Sequence, residues 1–155
     1  MRPERRVVGV IGGGQLGRML ALAGRPLDVA CRFLDPSPAA CAGGVGELLV
    51  GSYEDPAMLS RLAEGCDAVT FEFENVPAEA AAAVGCLPGP AALRTGQDRL
   101  VEKRFFRELG IETAPFGTLE ETGVPAIVKT RRLGYDGKGQ RRTDVLEQLA
   151  ENELA

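Results

Sequence analysis

Two glycine-rich stretches and one acidic stretch hold the residues of this 155-residue sequence whose types and spacing suit chemistry. The stretch KTRRLGYDGKGQ, from Lys129 to Gln140, sets Gly134, Gly137 and Gly139 around Lys138. Glycines let a backbone fold closely over an anionic group, and a lysine is a compact point charge suited to a phosphate oxygen. Lys129 follows the apolar run Pro125-Ala126-Ile127-Val128, which would hold its stem while the ammonium projects. Arg131, Arg132, Arg141 and Arg142 add positive field with only Asp136 opposing. That imbalance suits a triphosphate, or equally a solvated strand face.

The second stretch, Gly12-Gly13-Gly14-Gln15-Leu16-Gly17, satisfies G-x-G-x-x-G, with Asp35 near the place of a ribose-binding acid. Alone it reads as the fingerprint of an NAD(P)-dependent oxidoreductase. Its physical content is weaker: amides at a positive helix terminus favour an anion or small substrate without specifying a nucleotide, and a tight strand-to-helix turn without ligand is the alternative. Asp35 before Pro36 also suits an ordinary turn. In the third stretch, Phe71-Glu72-Phe73-Glu74-Asn75, the alternation would put Glu72 and Glu74 on one strand face. That face suits a solvated edge equally; if it lies at the carboxyl end of a parallel sheet it borders the ligand crevice, and Glu74, nearer the strand end, is then favoured.

The sequence contains no histidine, which removes Ser-His-Asp and Cys-His catalysis and a typical zinc site. Cys31, Cys41, Cys66 and Cys86 form no C-x-x-C pair and read as reduced, mostly buried thiols. Chemistry must use lysine, arginine, carboxylates and backbone amides. A net charge of -4 gives no overall attraction to nucleic acid or an anionic membrane. The early apolar run, Val7 to Ile11, is too short to span a bilayer and lacks signal-peptide features, so a cytoplasmic protein is expected.

The elements that must position these residues alternate. Strands are predicted at Val7 to Ile11, Val29 to Leu34, Glu47 to Val50 and Ala68 to Phe73. Helices are predicted after Gly14, from Asp55 to Ala63 with Asp55 as N-cap and Pro56 at the first position, and over Ala78 to Ala83. This is the α/β class with a parallel sheet. The pattern breaks near Leu87-Pro88-Gly89-Pro90, which places a domain boundary between 1–88 and 89–155. Beyond it an amphipathic helix is predicted from Asp98 to Leu109, with Leu100, Val101, Phe105 and Leu109 inward. Antiparallel strands follow at Ala126 to Thr130 and Gln140 to Arg142, then a last helix capped by Thr143 or Asp144. Glu147, Glu151 and Glu153 lie in that helix with a structural role.

Four stretches in order, IGGGQLGRML, FEFENVP, QDRLVEKRFFRELGI and VKTRRLGYDGKGQ, resemble the ATP-grasp enzyme 5-(carboxyamino)imidazole ribonucleotide synthase. The resemblance runs over nearly the whole chain. It implies a Rossmann-like pre-ATP-grasp domain followed by the opening of an ATP-grasp domain. It also implies ATP-dependent carboxylation of aminoimidazole ribonucleotide with bicarbonate through carboxyphosphate, in purine biosynthesis. ATP contacts would come from Arg99, Lys129 and the loop Gly134, Tyr135, Asp136, Gly137, Lys138, Gly139 and Gln140. Asp136 and Lys138 would be catalytic; Gly14, Gln15, Leu16, Glu74 and Tyr135 would bind the ribonucleotide.

Family members are more than twice this length. The resemblance places their magnesium carboxylates beyond Ala155, so Mg2+ would have no ligands within this chain, and little turnover is expected of it alone. A homodimer is compatible with this reading, whose partners are otherwise small molecules. A formate-using transformylase of the same superfamily shares the general pattern; FEFENVP together with GYDGKGQ favours the carboxyamino enzyme. A noncatalytic nucleotide-binding or interaction module is the remaining alternative.

Overall fold

The computed structural model describes residues 5–134 and 138–155. Tyr135, Asp136 and Gly137, three of the expected loop residues, lie outside the described residues. The chain divides into two compact units that part between Leu93 and Arg94. Leu93 falls on the first side because it is 2% exposed within that unit's core.

The first unit is built on a parallel sheet of β1 (Arg6–Ile11), β2 (Val29–Asp35), β3 (Glu47–Val50) and β4 (Ala68–Phe71), in the order β3-β2-β1-β4. Adjacent strand residues point to opposite faces, and both faces are covered. Val10, Cys31 and Phe33 meet Ala21 and Ala42 on one side. Ile11, Leu34 and Leu49 meet Leu59, Leu62 and Ala81 on the other. Burial on both faces explains why these strands read as near-continuous apolar runs.

Helix α1 (Gln15–Gly24) buries only Gly17 and Ala21. Its larger apolar residues face solvent, Leu16 at 60% and Met19 at 58% exposure. A Cβ on Gly17 would stand 3.1 Å from the Phe33 ring, so the helix approaches the sheet through its small residues. Helix α2 (Pro56–Ala63) starts as expected, with Asp55 Oδ1 accepting from the Ala57 amide at 2.9 Å. Helix α3 (Ala78–Ala83) follows β4, and α4 (Pro90–Gly96) is a helix the sequence reading lacked.

In the second unit, β5 (Ala126–Thr130) lies between β6 (Gln140–Thr143) and β7 (Glu153–Leu154), both antiparallel to it. Helix α5 (Arg99–Glu108) forms where expected, but Val101, Phe105 and Leu109 are 42%, 43% and 57% exposed rather than inward. Leu100 and Phe106 are half-buried. The Arg107 guanidinium stacks 4.1 Å from the centre of the Phe116 ring, with the Lys103 ammonium 5.4 Å away. A short helix α6 (Leu119–Thr122), also unforeseen, begins with a capping box between Thr118 and Glu121.

The expected terminal helix is absent. The Thr143 hydroxyl closes a turn with Val145, and the chain returns to pair with β5. Arg141 holds Glu147 and Glu153, which favours the extended course over a helix with three exposed acids. Among the described residues no helix is long and apolar enough to cross a membrane.

Candidate functional site

The strand order reverses direction at β1, with β2 on one flank and β4 on the other. Ligands of open α/β sheets bind beyond the carboxyl ends of the strands at such a switch point. The glycine loop leaves β1 there and the acidic stretch leaves β4 there.

The structure fills that glycine loop with the chain's own carboxylates. Glu72 Oε1 accepts from the Gly14 amide at 2.7 Å, and Oε2 accepts from the Gly17 amide. Asp35 Oδ2 accepts from the Gly13 amide at 2.8 Å and from the Tyr53 hydroxyl at 3.1 Å, while its Oδ1 accepts from the Ser37 amide at 2.8 Å. The Gly13, Gly14 and Gly17 amides, which the sequence offered to an anion, are thus engaged by carboxylates of the chain itself. A carboxylate from β4 takes the positive end of α1, where negative charge is stabilised. Burial first, then the neighbouring Asp35 charge and hydrogen bond, pushes the Tyr53 hydroxyl well above its ordinary range. It stays a donor to Asp35. Asp35 thus serves the glycine turn and its own Asp-Pro turn, the local role that its place before Pro36 suggested.

The glycines follow from this packing. A Cβ on Gly12, whose φ is +103°, would stand 2.5 Å from Glu72 Cγ, and one on Gly14 would stand 2.6 Å from Glu72 Oε1. Strand β4 ends at Phe71, so Glu72 and Glu74 do not share a strand face as the alternation suggested. Glu72 turns in to the glycine loop and Glu74 lies on the following turn, exposed. Gln15 and Leu16 are exposed at the start of α1.

In the second unit Lys129 is exposed on β5, paired with Gln140 of β6. Arg99 Nε donates to the Thr130 carbonyl at 3.1 Å and Nη2 donates to the Gly134 carbonyl, so this arginine holds the neck of the loop. Thr130, which the sequence reading passed over, fills the neck. Its amide donates to the Gly139 carbonyl at 2.7 Å, and a Cβ on Gly134 or Gly139 would stand 2.6 or 2.5 Å from its Oγ1. Only glycines fit at those two places. Lys138 and Gln140 are exposed beside them.

The four arginines around the loop are not an open positive field. Arg131 and Arg132 bond Asp98, Arg141 bonds Glu147 and Glu153, and Arg142 bonds Asp144. Asp98 is 3% exposed and also caps α5, accepting from the Leu100 amide at 3.0 Å. Burial pushes its carboxyl up, but the Arg131 hydrogen bonds and charge and the α5 amides outweigh this and hold it below the usual carboxylate range.

A parallel α/β sheet with a glycine turn at its switch point, followed by an antiparallel unit carrying a lysine and a glycine loop, defines the front of an ATP-grasp architecture. The chain belongs to the ribonucleotide synthetase preATP-grasp domain family, whose model matches residues 5–97. It is 49% identical over 158 residues to an N5-carboxyaminoimidazole ribonucleotide synthase of Pseudomonas aeruginosa, covering 93% of this chain and 43% of that protein. The solved synthetase of Thermus thermophilus matches with 50% identity and a TM-score of 0.80, over 89% of this chain and 41% of the other. The Aspergillus clavatus synthase in complex with ADP and 5-aminoimidazole ribonucleotide matches with 31% identity and a TM-score of 0.74, over 90% and 41% of the two chains. The chain thus spans about two fifths of the relatives it matches.

Proposed function

We propose that this chain supplies the ribonucleotide crevice and the phosphate loop of an ATP-dependent 5-aminoimidazole ribonucleotide carboxylase. The observation that carries the reading is the exposed Lys129 ammonium on β5, beside a glycine loop whose neck Arg99 and Thr130 hold in shape. In the proposed reaction the γ-phosphoryl group of ATP passes to a bicarbonate oxygen, giving ADP and carboxyphosphate. The ribonucleotide amine then attacks the carboxyl carbon, phosphate leaves, and the amine proton is lost to solvent or a base. Phosphoryl transfer of this kind is catalysed mainly by positioning and electrostatic stabilisation, to which Lys129 and Lys138 would contribute positive charge. Gln15 and Glu74, exposed at the switch point, are assigned to the ribonucleotide.

Magnesium normally accompanies ATP in such reactions. Among the described residues no group of three or more His, Cys, Asp or Glu side chains is placed to hold a metal, and Glu147 and Glu153 are engaged by Arg141.

Calorimetric titration of the chain with ATP tests the phosphate loop. Measurable affinity that falls at least tenfold in Lys129→Ala, with the thermal midpoint unchanged, is the expected result. Absence of any ATP affinity in the unaltered chain, or equal affinity in the variant, would overturn the assignment.

A further inference from the structure

Glu72 does more than fill a turn. The two amides it holds, those of Gly14 and Gly17, bracket Gln15 and Leu16, and Glu74 follows it by two residues, at most about 7 Å of chain. Gln15 and Glu74 are exposed, whereas Glu72 is half-buried with both carboxylate oxygens engaged on the loop. Its own backbone amide bonds the Ile11 carbonyl at 3.1 Å, so it is anchored to the end of β1 as well.

We propose that Glu72 is a positioning residue, a latch that ties the turn after β4 to the first turn of α1 and so fixes the spacing of Gln15 and Glu74 across the switch point. The inference rests on the reading that those two residues face the ribonucleotide. The latch needs a carboxylate in particular. Its two oxygens accept two separate amides, and its charge complements the helix end. The close fit of Gly12, Gly14 and Gly17 around this side chain leaves little room for another placement. The proposed ATP contacts lie in the other unit, so the latch should act on one ligand and not on the other.

The test compares the unaltered chain with Glu72→Ala and Glu72→Gln by amide hydrogen exchange and by separate titrations with 5-aminoimidazole ribonucleotide and ATP. Val10 and Val69, core residues of β1 and β4, report whether each variant is folded. In Glu72→Ala the Gly14 and Gly17 amides should exchange at least tenfold faster while Val10 and Val69 stay protected. Ribonucleotide affinity should fall at least tenfold while ATP affinity holds within twofold. Glu72→Gln, which keeps one acceptor oxygen, should fall between, and it decides the matter if the alanine variant does not fold.

Unchanged exchange at Gly14 and Gly17 would overturn the latch. Faster exchange with unchanged ribonucleotide affinity would overturn the positioning role. An unaltered chain that binds ATP but no ribonucleotide would overturn the substrate reading and with it the positioning role, while the exchange rates would still decide whether the latch exists.

Discussion

Arg131 Nη2 donates to Asp98 Oδ2 at 2.8 Å, and Arg131 Nε donates to the other oxygen of the same carboxylate at 3.1 Å. This two-pronged pair joins the residue just after β5 to the cap of α5. Asp98 is buried and Arg131 is 27% exposed in its side chain, so the pair lies between the surface and interior cases. Removing one partner of a buried pair costs about 3–5 kcal/mol; with Arg131 partly hydrated, about 2–3 kcal/mol is expected for Asp98→Ala. Urea denaturation followed by amide exchange at Leu100 measures it.

The same carboxyl gives a pH dependence of known sign. Its folded pKa lies below the unfolded value, because the arginine and amide hydrogen bonds outweigh the cost of burial. Its stabilising contribution is therefore complete above the ordinary aspartate pKa of about 3.9 and is lost as pH falls through the folded value. The difference in urea midpoint between the unaltered chain and Asp98→Asn should be constant above about pH 5 and shrink toward pH 2. A difference that grew on acidification would contradict the assignment.

Tyr53 should titrate late. With Tyr135 replaced by phenylalanine it is the remaining tyrosine, so absorbance near the phenolate band reports it alone. Burial, and then Asp35, hold the hydroxyl protonated. Its folded pKa is raised, so the stability it contributes is present below the free tyrosine value of about 10 and fades as pH rises through the folded value. Phenolate absorbance in the native protein should appear only above that ordinary value, and together with unfolding if the fold fails first.

Gly12→Ala should destabilise the first unit by about 1–3 kcal/mol, since the new methyl meets Glu72 Cγ and the backbone holds a φ of +103°. Gly44→Ala is the control, with nothing within 4 Å of the added carbon. Thermal unfolding of both variants checks the pair. Equal midpoints would mean that Glu72 yields freely.

Cys41 should react first with a disulfide reagent, because it is the exposed thiol of the four. Cys31 and Cys86 are buried, and burial pushes the Cys86 thiol up to about 11, so little thiolate is present at neutral pH. Burial also raises Cys66, which donates to the Leu62 carbonyl at 3.0 Å. Stopped-flow labelling should show one fast thiol, abolished in Cys41→Ser.

Much of the fold was legible in the sequence because its signals are local. The apolar runs of β1 and β2, the Asp55-Pro56 start of α2, the limits of β3 and α3 and the pairing of β5 with β6 each depend on residues a few positions apart or joined by one turn. The glycine loop was legible as a turn but not as an occupied one. The carboxylate that closes it stands 58 residues away, and no periodicity carries that distance. Likewise Asp98 meets Arg131 across 33 residues, turning an apparent basic field into neutralised pairs.

The inward placing of Val101, Phe105 and Leu109 on α5 and the terminal helix failed for the same reason, since amphipathic spacing says that a face exists and not what covers it. The sequence by itself determined the alternation of elements and the residues able to handle phosphate. Only the tertiary structure decided which amides and cations are already satisfied, because hydrogen-bond partners are chosen by proximity in space and each donor or acceptor so engaged is withdrawn from a ligand.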